Sequence, residues 1–371
     1  MKTHGKKKWK FLINIFLSKS KLIKDMNIAV YSDKFSGTLS ATEAIGIIKE
    51  VFADSSIKAS YFPVTDGGEN SSLIFKEHGF KVKKNLNVLD LVGNEINVEL
   101  INIGEDIFFE SSQLIGINNT NTDTKVLNTG CLSDVVELSD VIGLGGSRTN
   151  DGGFGLLSKM GINFYNNKKL IENPNPNNFN QITNVEMTDS FKKLNKKILV
   201  DTFIPLLGIT SAIEVFGPQK GLNDEDIKEI SFQIERVSNL ISNNFEIKPD
   251  TTKPGTGAAG GLGYALSEVL GCELISGAEY FFQKSGLELK INTFDTSILC
   301  EGKFDSSSLK GKVIGHILEK NNGKSYFLGG IYDHKDKGLF TDIFECGEKG
   351  LESPKKELVY ATNKLVNEIT I

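Results

Sequence analysis

Four dense glycine clusters, lying where apolar runs give way to polar residues at strand or helix ends, constrain this chain more than any other feature. They are Asp66-Gly67-Gly68-Glu69, the run Gly143-Leu144-Gly145-Gly146-Ser147-Arg148-Thr149-Asn150-Asp151-Gly152-Gly153, Phe216-Gly217-Pro218-Gln219-Lys220-Gly221, and Pro254-Gly255-Thr256-Gly257-Ala258-Ala259-Gly260-Gly261-Leu262-Gly263. Glycine makes up 37 of 371 residues, above the roughly 7% of an average protein. Glycine concentrated between a strand and a helix lets backbone amides approach a neighbouring chain or an anion closely, so the clusters read as tight turns of an α/β fold.

The remaining patterning agrees. Asn27 to Tyr31 is a short apolar run of the kind a buried parallel strand needs. A loop, Ser32 to Leu39, follows, and Ser40-Ala41-Thr42-Glu43 then has capping-box spacing ahead of Ile45, Ile48 and Phe52. A second strand at about 58–64 leads into Asp66-Gly67-Gly68-Glu69 and a helix ending near Gly79, which completes a βαβα unit. Residues 80–109 alternate apolar and polar as an antiparallel meander would. Further strands are expected at 141–144, 197–200, 297–299 and 326–328, and helices at 153–160, 224–242, 256–270, 308–319 and 355–368. The Asn-rich stretch 163–184 reads as a surface loop with at most a short hairpin. The expected fold class is α/β with two domains. A Rossmann-like parallel-sheet domain is built from both chain ends (26–79 plus 271–371), an α+β domain (80–270) is inserted, and a cleft lies between them. Residues 1–25, Lys-rich around the apolar run Phe11 to Leu17, read as an extension outside the fold, disordered or with a membrane-surface or targeting role. The run is too short to span a bilayer, so stable membrane insertion is not expected.

Composition narrows the function classes. Lys and Arg total 42 against 47 Asp and Glu, a net charge of −5, which offers no global attraction to a phosphate backbone; nucleic acid is not an expected partner. The four cysteines, Cys131, Cys272, Cys300 and Cys346, form no C-x-x-C pair, so neither a zinc site nor a disulfide framework is indicated and a cytoplasmic location is the simple reading. Two phosphate-binding patterns fail: Leu318 stands where a P-loop ending in Gly323-Lys324-Ser325 requires glycine, and Arg148 takes the last glycine position of a G-x-G-x-x-G run from Gly143. What accompanies the glycines is acid. Asp33, Asp66, Glu69, Asp151, Glu301 and Asp305 all fall in expected loops just after strands. Phosphoryl transfer needs carboxylates for Mg²⁺, cations and amides for phosphate, and a base near the acceptor hydroxyl. The residues alone leave this one of several ligand-binding readings.

At these same clusters the sequence resembles the bacterial glycerate kinase family of glyoxylate and glucarate metabolism, in order from Met26 to the carboxyl terminus. The family opening A-P-D-S-F-K-G-S-L-S-A is similar to Tyr31 to Ala41, P-V-A-D-G-G-E to Pro63 to Glu69, and G-G-S-A-T-N-D-G-G to Gly145 to Gly153. F-G-P-Q-K-G matches Phe216 to Gly221, P-G-A-G-A-A-G-G-L-G resembles Pro254 to Gly263, and T-G-E-G-R-I-D-S-Q-T-L-x-G-K resembles Leu299 to Lys312. The resemblance implies transfer of the γ-phosphate of ATP, with Mg²⁺, to a hydroxyl of D-glycerate or a similar small hydroxy acid, giving the 2-phospho product; a homodimer is the one assembly considered. Carried over residue by residue, it implies catalytic roles for Asp66, Asp151, Lys220 and Lys303, with Asp66 and Asp151 as Mg²⁺ ligands. Substrate or phosphate contacts fall to Asp33, Ser36, Glu69, Gly145, Gly146, Ser147, Asn150, Gly255, Gly257 and Asp305. The chain departs from the pattern at Ser36 (Lys in the family, with Lys34 two residues earlier), Leu132 (Gly), Arg148 (a small residue), Ile204 (Asn), Cys300 (Gly) and Lys303 (Arg). These departures keep two alternatives open: a catalytically impaired relative that binds ligand or regulates, and a kinase for another hydroxy acid.

Overall fold

The computed structural model describes residues 27–55 and 57–370. The extension expected over 1–25 lies outside the described residues. The chain divides into two compact units, one joining the segment up to Val64 with the segment from Gly286 onward, the other comprising Thr65–Ser285.

The first unit is built on a five-stranded, wholly parallel sheet in the order Asp342–Glu345, Lys324–Gly329, Thr296–Cys300, Ile28–Ser32, Ala59–Pro63. The strands Ile28–Ser32 and Thr296–Cys300 are buried at every residue, as central parallel strands covered on both faces must be. The helix Ala41–Ala53 begins at the expected capping box: Ser40 Oγ accepts from Glu43 N (3.2 Å) and Glu43 Oε2 accepts from Ser40 N (2.8 Å). Its apolar face, Ala44, Ile45, Ile48 and Phe52, shares a core with Val30, Ile298 and Leu328 of the sheet and Leu358, Ala361 and Leu365 of the closing helix Pro354–Thr370. From Ile28–Ser32 the chain first adds a strand on one side, then returns to add three on the other. The winding therefore reverses between Ile28–Ser32 and Thr296–Cys300, and ligands of open α/β sheets bind beyond the carboxyl ends of strands at such a reversal. The edge strand Asp342–Glu345 had no counterpart among the sequence expectations.

The second unit holds a six-stranded sheet in which Glu273–Ser276, Lys197–Val200, Val141–Gly143 and Asp106–Glu110 run parallel, while Glu95–Ile103 and Lys81–Leu89 continue antiparallel. The meander expected over 80–109 is present, and its last strand also pairs with Val141–Gly143, which joins hairpin and parallel strands in one sheet. The stretch expected as a loop over 163–184 contributes to a small sheet of Lys169–Leu170, Ile162–Asn166 and Asn184–Met187. The helix Asp224–Asn244 starts where Asn223 Oδ1 accepts from Glu225 N (3.0 Å) and Asp226 N (2.9 Å), with three acids in the first turn favouring its positive end.

Two expectations need correction. The segment 256–270 is not one regular helix: within Ala258–Tyr264, residues Ala259, Gly260 and Gly261 have φ of 51°, 69° and 94°, and a π-helical turn, Ala265–Val269, follows. The cause is close packing, since a Cβ on Gly260 would lie 1.9 Å from the Thr149 carbonyl oxygen. The units also divide at 64/65 and 285/286 rather than at 79/80 and 270/271. The helix Ser71–Glu77 packs on Glu95–Ile103 and Asp106–Glu110, and Glu273–Ser276 pairs with Lys197–Val200, so both stretches belong to the second unit.

Candidate active site

In the second unit the glycine clusters meet one another. Asp66 follows the unit boundary, buried, its Oδ1 accepting from Gly68 N at 3.1 Å and its Oδ2 without a hydrogen-bond partner among the described residues. Its backbone is pinned, because a Cβ on Gly277 would lie 1.6 Å from the Asp66 carbonyl oxygen. Gly145, leaving the strand Val141–Gly143, runs so close that a Cβ there would meet Glu69 N at 2.7 Å and Gly68 Cα at 2.9 Å. Gly146 differs: it is exposed, and a Cβ would meet nothing nearer than 4.0 Å. Its lack of a side chain is not explained by packing and fits the close approach of a ligand.

Beneath the following residues lies Lys220. Its ammonium is buried and donates to Thr149 O (2.7 Å), Asn150 Oδ1 (3.1 Å) and Ser147 Oγ (3.3 Å), which uses all three of its N–H groups. Burial pushes it down to about 7, against the opposing pull of the Asp151 charge. Asn150 is held from its other side by Thr124, whose Oγ1 accepts from Asn150 Nδ2 at 3.1 Å and donates to Arg148 O. The Thr149 hydroxyl is buried without a partner among the described residues.

Asp151 is buried and accepts four hydrogen bonds. Oδ2 accepts from Thr129 N (2.8 Å), Thr129 Oγ1 (2.9 Å) and Gly155 N (3.0 Å), and Oδ1 from Gly153 N (3.2 Å). Complete burial raises its pKa, and those hydrogen bonds oppose the rise. These hydrogen bonds brace the turn into the helix Phe154–Lys159, and together with complete burial they suit Asp151 less well than Asp66 to the Mg²⁺ ligand role that the resemblance implied. Asp66, with an oxygen to spare, does fit. Among the described residues no group of three or more His, Cys, Asp or Glu is placed to hold a metal ion; magnesium sites commonly use one or two carboxylates together with substrate phosphates.

Gly255 and Gly257 are buried against protein. A Cβ on Gly255 would meet Leu274 Cδ1 at 2.9 Å, and one on Gly257 would meet Ala212 Cβ at 2.3 Å and Pro205 O at 2.7 Å. The structure thus gives both a packing role.

The other candidates gather in the first unit, at the carboxyl ends of the strands flanking the reversal. Asp33 N donates to Cys300 O (2.9 Å), and Lys34 N to Asp33 Oδ1 (2.7 Å). Ser36 is exposed in the turn that Phe35 N closes on Leu39 O (2.7 Å). Lys303 is half exposed and pairs with Asp333 at 2.8 Å and Asp305 at 3.9 Å. For Asp305, burial pulls upward, but hydrogen bonds from Ser307 and the charges of Lys312 and Lys303 hold its carboxyl below the usual range.

The departures have local explanations. Leu132 and Cys300 are fully buried in the two cores. Ile204 acts through its backbone, accepting from Gly257 N at 3.1 Å. The Arg148 guanidinium donates twice to Thr122 O, each at 3.3 Å. Sequence reasoning missed Thr124, Thr129 and Glu110. Thr129 lies three residues before Leu132, one of the departures from the family pattern, which was an available signal. Glu110 gave none: it takes the amides of Asn70 and Ser72 at 2.8 Å each and caps the helix Ser71–Glu77 from a strand some forty residues away.

A parallel, doubly wound sheet in one unit and, in the other, converging glycine turns over a buried lysine place the chain among the α/β proteins. A model of the glycerate kinase family matches residues 28–334. A glycerate kinase from Bacillus cereus is 28% identical over 313 residues, covering 80% of this chain and 82% of its own length. A glycerate 2-kinase from Escherichia coli is 28% identical over 352 residues, covering 87% and 92%. In fold, a crystal structure from Salmonella typhimurium LT2, assigned as glycerate kinase 2, superposes with a TM-score of 0.68 at 23% identity, over 92% of this chain and 98% of that one. The chain belongs to the glycerate kinase family and is a kinase. No helix among the described residues is long and apolar enough to cross a membrane.

Proposed function

We propose that this chain transfers the γ-phosphate of ATP, with Mg²⁺, to a hydroxyl of D-glycerate, giving 2-phospho-D-glycerate. The observation that carries the reading is the stack in the second unit: the exposed Gly146, the Ser147–Asn150 turn beneath it locked by Lys220, and Asp66 on the loop that Gly145 touches. ATP and Mg²⁺ supply the transferable phosphoryl group and the charge that neutralises it. The chain's own residues hold and orient. Asp66 is the carboxylate that holds the metal, and Gly146 and Ser147 offer backbone donors to phosphate oxygens. Lys220 and Asp151 fix the loop geometry, which matters because a misplacement of about 1 Å can cost about a hundredfold in rate. In the first unit, Lys303 and the Asp33–Ser36 turn, with Asp305, are assigned to the substrate. The name of the E. coli relative supports the 2-phospho product. A small soluble hydroxy acid is the substrate this reading requires, and a cytoplasmic location goes with it.

The test is a steady-state assay of purified, folded protein with ATP, MgCl₂ and D-glycerate, with NMR to identify the phosphorylated carbon. ADP release at background level overturns the kinase reading for this substrate; a 3-phospho product overturns only the regiochemistry.

A further inference from the structure

Glu301 follows the central strand Thr296–Cys300 at the reversal of the parallel sheet and has no role in the reading above. It is 6% exposed, and its Oε1 has no hydrogen-bond partner among the described residues. It is also clamped. On one side Cys300 O accepts from Asp33 N (2.9 Å), and a Cβ on Gly302 would meet Phe35 Cα at 2.9 Å and Ser36 N at 3.1 Å. On the other side Glu301 O accepts from Gly330 N (3.1 Å), and a Cβ on Gly330 would lie 2.1 Å from Gly302 O. The loop 33–37 therefore rests directly on the segment that Glu301 anchors.

A buried carboxyl with an orphan oxygen lowers stability, and glutamine would fill the same volume without an ionisable group. Such groups call for an explanation, and function is the common one. The groups around the carboxyl are unequal. Asp33 faces it from the loop after the first strand; Asp305, Lys312 and the Ser308 hydroxyl face it from the following segment; at the neighbouring strand end, Gly329 and Gly330 crowd the backbone oxygens of Glu301 and Gly302. Burial, then the Asp33 charge, push Glu301 up to about 8, against Ser308 and Lys312.

We propose that Glu301 is a positioning residue for the phosphoryl-transfer reaction: as a neutral acid it supports the Asp33–Gly37 loop, and loss of its proton to solvent displaces that loop and switches the reaction off. The proposal rests on the kinase reading. A second negative charge beside Asp33, away from water, is relieved most cheaply by moving the loop, which is exposed at Ser36 and Gly37. The sign follows. The folded state keeps a proton that the unfolded chain has lost between pH 4.5 and about 8, so stability falls as pH rises through that window, and the penalty is complete above it.

The experiment compares the full chain with its Glu301→Gln and Glu301→Ala variants at pH values from about 6 to about 9. Wild-type kcat is expected to fall about tenfold over the alkaline limb; E301Q, which mimics the neutral acid, loses that limb and exceeds wild type at least about fivefold at the alkaline end. E301A lowers kcat across the range without restoring the limb. The melting temperature of E301Q rises relative to wild type as pH increases, a comparison in which the Lys220 titration common to both cancels, and tryptic cleavage after Lys34 rises with pH in wild type only. An alkaline limb identical in wild type and E301Q, or a melting-temperature difference between the two that is the same at every pH, overturns the proposal. Absence of turnover in wild type at every pH overturns the kinase reading instead, while the melting and cleavage curves still decide whether Glu301 holds the loop.

Discussion

Lys220 Nζ donates to the carbonyl oxygen of Thr149 at 2.7 Å, with no hydrogen-bonding capacity left for an incoming phosphate. The cation in the F-G-P-Q-K-G segment, to which the family resemblance gives a catalytic role, sets the shape of the loop that leads into Asp151. Replacing it with methionine keeps the stem and strands three acceptors. Lys220→Met is expected to lower kcat/KM about a hundredfold, equivalent to about 2.7 kcal/mol of transition-state stabilisation. Relief of a buried charge limits the change in melting temperature. Steady-state kinetics beside a thermal melt check both, and an activity within about threefold of wild type would remove Lys220 from the site.

The left-handed turn of Ala259, Gly260 and Gly261 makes opposite predictions for adjacent residues. Ala259 holds φ at 51°, where a non-glycine residue carries strain of about 1 kcal/mol or more. Ala259→Gly should therefore leave stability unchanged or raise it by up to about 1 kcal/mol, although the same change inside a regular helix costs about 0.5–1 kcal/mol. Gly260→Ala drives a methyl into the Thr149 carbonyl and so disturbs the Lys220 contact. It should destabilise by about 2 kcal/mol or more and lower activity in parallel. Urea melts of the two variants distinguish them.

How much of this was legible beforehand depends on the range of the interactions. The strand Ile28–Ser32 and the capping box at Ser40 follow from a few consecutive residues, and the structure shows both as read. The glycine clusters announced close approaches but not which approach: Gly145 meets Gly68, Gly260 meets Thr149, and Gly257 meets Ala212. Those contacts are set by tertiary packing between distant segments. The same limit hid Glu110, and it hid the four hydrogen-bond donors that surround Asp151. The helix expected over 256–270 failed for the same reason, since its composition permits a helix but its neighbours demand positive φ.

Arg148 stands where the family pattern has a small residue, yet its guanidinium turns to Thr122 O. Arg148→Ser should cost about 1–2 kcal/mol of stability, the low end for hydrogen bonds from a charged donor because both are long and the site is half-buried. Activity should stay within about threefold, because loop shape is held by Lys220 and by Thr124 on the Arg148 carbonyl. Equal KM values for both substrates in wild type and variant are the result to look for. A large rise in the KM for ATP would place the guanidinium on the nucleotide.

Asp66 and Asp151 resemble each other in sequence, each beside paired glycines, and part company in their hydrogen bonds. Asp66 gives one oxygen to Gly68, so asparagine can keep that acceptor, and stability should change by less than about 1 kcal/mol. What Asp66→Asn removes is the negative charge, and with it the proposed hold on Mg²⁺; kcat should drop by about a thousandfold or more, with a raised Mg²⁺ requirement. In Asp151→Asn, an NH₂ group is turned toward N–H donors of Thr129, Gly153 or Gly155, which leaves buried donors unpaired and should cost about 2–4 kcal/mol. Its activity loss then follows from the loosened turn, and falls less at low temperature where the fold is retained. Activity titrated against MgCl₂ and denaturant melts on both variants separate the two assignments. If Asp151→Asn proves stable but shifts the Mg²⁺ dependence, while Asp66→Asn does not, the metal belongs to Asp151 and its hydrogen-bond shell must open on binding.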